Sequence, residues 1–169
     1  MSSQAPSEQL LGAYDQYSDA IFRYCFVRLR QREVALDLTQ DAFIRTWEYL
    51  RQGNSIENIR AFLYRVANNL IIDYVRKRRE SSLDSLMEQG FDVPFEEKSI
   101  LHAKLDAQYA LKVVDKLDDK YRDVVVLRYI EDLPIKEIAQ IIGESENVVS
   151  VRLHRAIQQV KKLSPTHDS

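Results

Sequence analysis

Ser150, Val151, Arg152, His154 and Arg155 crowd into six positions shortly after the break Gly143-Glu144-Ser145. These side chains are suited to reading the edges of base pairs. Arginine can bond guanine through two N–H groups, and the valine methyls can touch a thymine methyl. A second set, Tyr64, Arg65, Asn68, Asn69 and Arg76, mixes an aromatic ring, amides and guanidinium groups. Single-stranded nucleic acid is held by such mixtures, because a base stacks on the ring, an amide bonds its edge and arginine tracks the phosphates. A third set, Asp37, Gln40 and Asp41, is spaced three and four apart and would form one acidic edge of a helix, complementary to a basic partner. Taken singly, Asp37 also suits a helix start, and Gln40 and Asp41 suit plain solvation.

No catalytic chemistry is expected. His102, His154 and His167 are far apart, with no cysteine or carboxylate at metal-ligand spacing. No glycine-rich phosphate loop is present either. Neither a metal nor a cofactor is implied.

The elements that must position these groups are helices. With 4 Gly and 4 Pro in 169 residues and 30% charged side chains, the composition favours helices over short strands. Spacing predicts a first helix over about Ser7 to Leu29, with Leu11, Tyr14, Tyr17, Ile21, Tyr24 and Cys25 inward. A second starts near Val34 and buries Leu38, Ala42, Phe43, Thr46, Trp47 and Leu50, until Gly53-Asn54-Ser55 breaks the pattern. The third runs from Asn58 to about Arg79, with Phe62, Leu63, Val66, Ala67, Leu70 and Tyr74 as its buried stripe. After an acidic stretch holding Gly90 and Pro94, four short helices follow near 105–116, 119–129, 134–141 and 146–162. The last two read as a helix-turn-helix. Pro134 suits a first turn, Gly143 can take the positive φ of the turn, and Ser145 is placed to cap the following helix. Val149, Leu153, Ala156 and Val160 then point inward, which turns the arginines outward.

The fold class expected is therefore all-α, with two small helical domains at 7–80 and 105–163 joined by an acidic linker at 81–104. Net charge is −2, an unpromising total for a nucleic-acid binder, but it is unevenly distributed. Arg60, Arg65, Arg76, Lys77, Arg78 and Arg79 against Asp73 give residues 60–79 a net +5. Seven acids against Lys98 and Lys104 give residues 80–106 a net −5, and residues 147–163 return to +4. No apolar run approaches the roughly 20 residues that cross a bilayer, and Met1 to Ser7 has neither the basic nor the apolar block of a signal peptide. The expected location is the cytoplasm, without membrane insertion. The single cysteine, Cys25, stands among Tyr24, Phe26 and Val27 and reads as a packed thiol.

From Tyr14 to Leu163 the order of motifs resembles a bacterial RNA polymerase sigma factor of the extracytoplasmic-function group of the sigma-70 family. The resemblance is carried by Asp37-Leu38-Thr39-Gln40-Asp41-Ala42-Phe43 with Trp47, by Phe62-Leu63-Tyr64-Arg65-Val66-Ala67-Asn68-Asn69-Leu70 with Asp73, and by Arg152-Leu153-His154-Arg155-Ala156. It implies a region 2 bundle and a region 4 helix-turn-helix. Asp37, Gln40 and Asp41 would dock on core RNA polymerase. The third helix would take the −10 element of promoter DNA through Tyr64, Arg65, Asn68, Asn69 and Arg76, while Asn54 and Ser55 stand in the loop where this group holds a flipped base. Ser150, Val151, Arg152, His154 and Arg155 would read the −35 element. Phe62 stands where the family usually has Trp, and Asn68 where a basic residue is common. Members of the group are commonly held inactive by an anti-sigma factor, which would be a further partner. Two other classes compete. A helix-turn-helix transcription regulator would bind duplex DNA without polymerase, and a decoy would occupy polymerase without opening DNA.

Overall fold

In a computed structural model that describes residues 5–81 and 101–163, every regular element is helical. Three helices form the first unit: α1 (Pro6–Leu29), α2 (Arg32–Arg51) and α3 (Ile59–Ser81). The second unit holds α4 (Leu101–Asp115), α5 (Asp119–Val125) running on into a π-helical turn (Val126–Ile130), α6 (Ile135–Ile142) and α7 (Glu146–Leu163). The all-α, two-unit architecture agrees with the sequence reading. Most of the expected linker, 82–100, lies outside the described residues. Its two ends are helical, since Ser81 closes α3 and Leu101 opens α4. No described helix is long and apolar enough to cross a membrane.

Local signals set the helix ends. Pro6 occupies the first turn of α1, where its missing N–H has no intrahelical acceptor to lose. Asn58 caps α3, its side-chain oxygen accepting from the Ala61 N–H at 3.1 Å. The first unit is closed by apolar contact among all three helices. Ile21, Tyr24 and Cys25 of α1, Ala35 and Ala42 of α2, and Leu63 and Ala67 of α3 are almost wholly buried. Full burial of each large apolar side chain contributes about 1.5–3 kcal/mol. Aromatic pairs tie the helices together: Tyr14 meets Phe43 edge-on at 5.1 Å, and Tyr49 meets Phe62 at 4.9 Å. The hydroxyls of Thr39 and Thr46, buried on α2, bond back to the carbonyls of Ala35 and Ala42.

The outward exposure expected of two α3 residues is corrected by this core. Tyr64 and Asn68 are each only 2% exposed and face inward. Tyr64 packs edge-to-face on Tyr24 at 5.4 Å. The Asn68 side-chain oxygen accepts from the Tyr24 hydroxyl at 3.2 Å and from the Arg28 guanidinium at 3.0 Å, and Arg28 also donates to the Tyr24 oxygen at 2.8 Å. A polar position therefore serves the core, because a buried amide is stable once bonded. In α1, Leu11 and Tyr14 are more exposed than the periodicity predicts.

In the second unit, Arg122 ends α4 and starts α5. Its guanidinium donates to the carbonyls of Val114, Asp115 and Leu117 at 2.8–3.2 Å and pairs with Asp119 at 2.9 Å. Unfilled carbonyls at a helix C-terminus are satisfied in this way by a cation, which also suits the helix dipole. The expected 119–129 helix is thus an α-helical segment followed by a π-helical turn. Asp132 then adopts φ 56°, and the Leu133 N–H reaches the Leu127 carbonyl at 3.0 Å, turning the chain toward α6.

Replacing the buried acceptor should be costly. Asn68→Ala removes a partner of both Tyr24 and Arg28 and should lower stability by about 1–3 kcal/mol, read as a reduced midpoint in denaturant unfolding.

Candidate nucleic-acid interface

Helix α7 is set by a turn whose chemistry is local. Gly143 ends α6 at φ 72°, a left-handed conformation that glycine takes without a Cβ penalty. The Gly143 and Glu144 N–H groups both return to the Ala139 carbonyl, at 2.9 and 3.1 Å. Ser145 then caps α7, its hydroxyl oxygen accepting from the Val148 N–H at 3.1 Å. Pro134 immediately precedes α6 as its N-cap, one position earlier than the sequence reading placed it.

With Val149, Leu153 and Ala156 buried against the unit, the outward face of α7 carries the expected side chains. Ser150, Val151, His154 and Arg155 are exposed, and Arg152 is half-buried. Arg152 is held by Glu144 at 3.3 Å, so part of its charge is already neutralised within the turn. Val151 offers an apolar surface 39% exposed in the middle of this polar face.

On α3 the outward face differs from the expected set. Arg65, Asn69, Ile72 and Arg76 are exposed in one row at three- and four-residue spacing, with Arg79 continuing it. Ile72, 51% exposed, was not singled out in the sequence because an isoleucine inside a helical run reads as core. Its spacing from Asn69 and Arg76 was the available signal. Arg76 is hydrogen-bonded to Asp73, and the Lys77 ammonium stands 3.2 Å from the other carboxylate oxygen. Hydrogen bonding from Lys77, with Arg76 beside it, holds the Asp73 carboxyl below its ordinary value of 3.8. Asp73 is therefore ionised at neutral pH and offsets part of the basic charge at this end of α3.

Asn54 and Ser55 are exposed in the loop between α2 and α3. Gly53 bends that loop at φ 94°, and the Asn54 amide donates to the Tyr49 carbonyl at 3.1 Å. Asp37, Gln40 and Asp41 are all exposed on α2. Because α2 begins at Arg32, Asp37 lies more than a turn inside the helix and does not serve as its cap. Leu36 and Ile44 are exposed on the same helix.

Residues 13–81 match the family described as Sigma-70 region 2, and residues 107–160 match Sigma-70, region 4. The chain is 30% identical to the ECF RNA polymerase sigma factor SigW of Bacillus subtilis over 159 residues, which is 88% of this chain and 84% of SigW. It is also 30% identical to the RNA polymerase sigma factor YlaC of the same organism, with 88% of each chain covered. Among solved structures, the fold is similar to that of the sigma factor RpoE of Bartonella quintana, crystallised with the anti-sigma factor NepR. The TM-score is 0.78 and the identity 19%, with 95% of this chain and 99% of RpoE covered.

The hydroxyl cap on α7 should be measurable. Ser145→Ala should destabilise the second unit by about 1 kcal/mol, and Ser145→Asp, which keeps the acceptor, should restore most of that loss in thermal unfolding.

Proposed function

As the chain belongs to the extracytoplasmic-function group of RNA polymerase sigma factors in the sigma-70 family, and so binds core polymerase and directs initiation at promoters, we propose the following division of labour. The acidic edge Asp37, Gln40 and Asp41 docks the first unit on core polymerase. The outward row of α3, with Arg65, Asn69 and Arg76, tracks the opened −10 strand, and the loop at Asn54 and Ser55 receives an unstacked base. On α7, Ser150, Val151, His154 and Arg155 read the −35 duplex, with Arg152 held at its margin by Glu144. The observation that carries this reading is the presence, in one chain, of both family regions, with Arg65, Asn69 and Arg76 exposed on α3 and Ser150, Val151, His154 and Arg155 exposed on α7. A regulator that needed only duplex DNA would have no use for the region 2 match.

The chemistry of RNA synthesis is left to the polymerase, and the chain supplies promoter choice and strand opening in the cytoplasm. It has no catalytic role of its own in this scheme. Free chain should hold promoter DNA weakly, because several of its cations are committed internally or paired, as Arg122 and Arg76 are. An anti-sigma factor that covered these faces would silence the protein.

Run-off transcription with purified core polymerase, with and without the chain, tests the whole scheme. Discrete new starts that share paired −35 and −10 elements are expected. Tight duplex binding by the free chain without new starts would instead identify a regulator. Within the same assay, Arg155→Ala should cost about 1–3 kcal/mol of discrimination at −35 while polymerase binding is retained. Asp41→Lys should weaken association with core polymerase by about tenfold or more, without loss of folding, because it opposes like charges across the interface.

A further inference from the structure

Beside the outward face of α7 lies a recess of about 290 Å³ formed by α5 and α7 together. Lys120 and Tyr121 line it from α5, and Asn147, Val151, Arg152 and Arg155 line it from α7. It thus brings three cations and one amide around a single concavity, although they come from two segments more than twenty-five residues apart in sequence. The cations differ in what already holds them. Arg152 is paired with Glu144. Lys120 and Arg155, by contrast, pair with no carboxylate among the described residues, and the Lys120 ammonium lies 5.1 Å from the centre of the Tyr121 ring.

Resting on the proposed −35 role of α7, we propose that this recess seats a backbone phosphate of the promoter duplex. Lys120 is its principal anchor, and Asn147 is a neutral donor beside it. Backbone phosphate is the group of duplex DNA that an unpaired ammonium at the edge of the recognition face is suited to meet, since the base edges lie deeper in the groove. The recess leaves room for a phosphate and attendant water. Tyr121 is buried and forms a rigid wall, and its ring restrains the lysine over the opening. A phosphate held here anchors the unit on the duplex backbone beside α7 and adds the same affinity whatever base pairs Val151 and Arg155 meet. Lys120 is then a positioning residue that carries no sequence information of its own.

This assignment separates Lys120 from the residues that read bases. It was not visible in the sequence because Lys120 sits in the run Asp118-Asp119-Lys120, whose net charge is negative. Only the packing of α5 on α7 brings its side chain to the recognition face.

The test is equilibrium binding of promoter duplex by the full chain assembled with core polymerase, measured across a series of salt concentrations. Four chains are compared: the parent, Lys120→Gln, Arg155→Ala and Lys116→Gln, the last removing an exposed lysine that does not line the recess. Lys120→Gln should reduce the log–log salt slope by about 0.9 and weaken binding by the same factor for every −35 sequence. Arg155→Ala should change the ranking of −35 sequences, and Lys116→Gln should leave both slope and ranking as in the parent. An unchanged slope for Lys120→Gln, beside a parent that depends on the −35 sequence, would overturn the phosphate seat alone. Equal slope losses for Lys120→Gln and Lys116→Gln would also overturn it, since a diffuse field and not a local seat would then be responsible. A parent whose binding ignores the −35 sequence would remove the underlying reading of α7 and this inference with it.

Discussion

The rotational setting of α3 depends on one buried polar cluster, in which Asn68 accepts hydrogen bonds from Tyr24 and Arg28. A helix with apolar residues on more than one side can pack in several phases. An amide and a guanidinium restrict the choice, because burial without partners costs more than an ordinary apolar mismatch. With Asn68 and Tyr64 turned inward, Arg65, Asn69, Ile72 and Arg76 have to face outward. The cluster therefore decides which residues α3 presents outward, although none of its members stands in that row.

Arginine is used in two opposed ways in this protein. Arg28 and Arg122 complete the folded units, and Arg128 donates to the Leu133 carbonyl at 3.0 Å. Arg122 and Arg128 satisfy backbone carbonyls, and Arg28 satisfies the side-chain oxygens of Tyr24 and Asn68. Arg76 and Arg152 are paired with neighbouring carboxylates. What remains for a negatively charged ligand is smaller than the charge of either basic segment suggests. A surface with fewer free cations binds non-specific DNA less firmly, since each phosphate contact adds to sequence-independent attachment.

The second unit shows the same economy in its backbone. Gly143, Ser145 and the Arg122 side chain each meet a particular set of unfilled N–H or carbonyl groups at a helix end. These local devices fix the α6–α7 turn and the joint between α4 and α5. The buried face of α7 then needs only small and medium apolar residues, Val149, Leu153 and Ala156, to hold the helix against its unit while the opposite face stays open.

Much of this was legible in the residues alone. Helix number, the position of the α6–α7 turn, the serine cap, the inward stripe of α7 and the family follow from periodicity, from Gly143 and Ser145, and from short motifs, all of which act over a few neighbouring residues. Asp37, Gln40 and Asp41 were placed on a common exposed edge for the same reason. The phase of α3 was not legible. Tyr64 and Asn68 carry polar groups and read as surface, and only contact with Tyr24 and Arg28, more than thirty-five residues earlier, makes their burial favourable. The π-helical end of α5, the structural duty of Arg122 and the approach of Lys120 to α7 have the same origin. They depend on which hydrogen-bond acceptors and which cavities remain once helices have packed, and that is decided by contacts between distant segments, which no local pattern of residue types encodes.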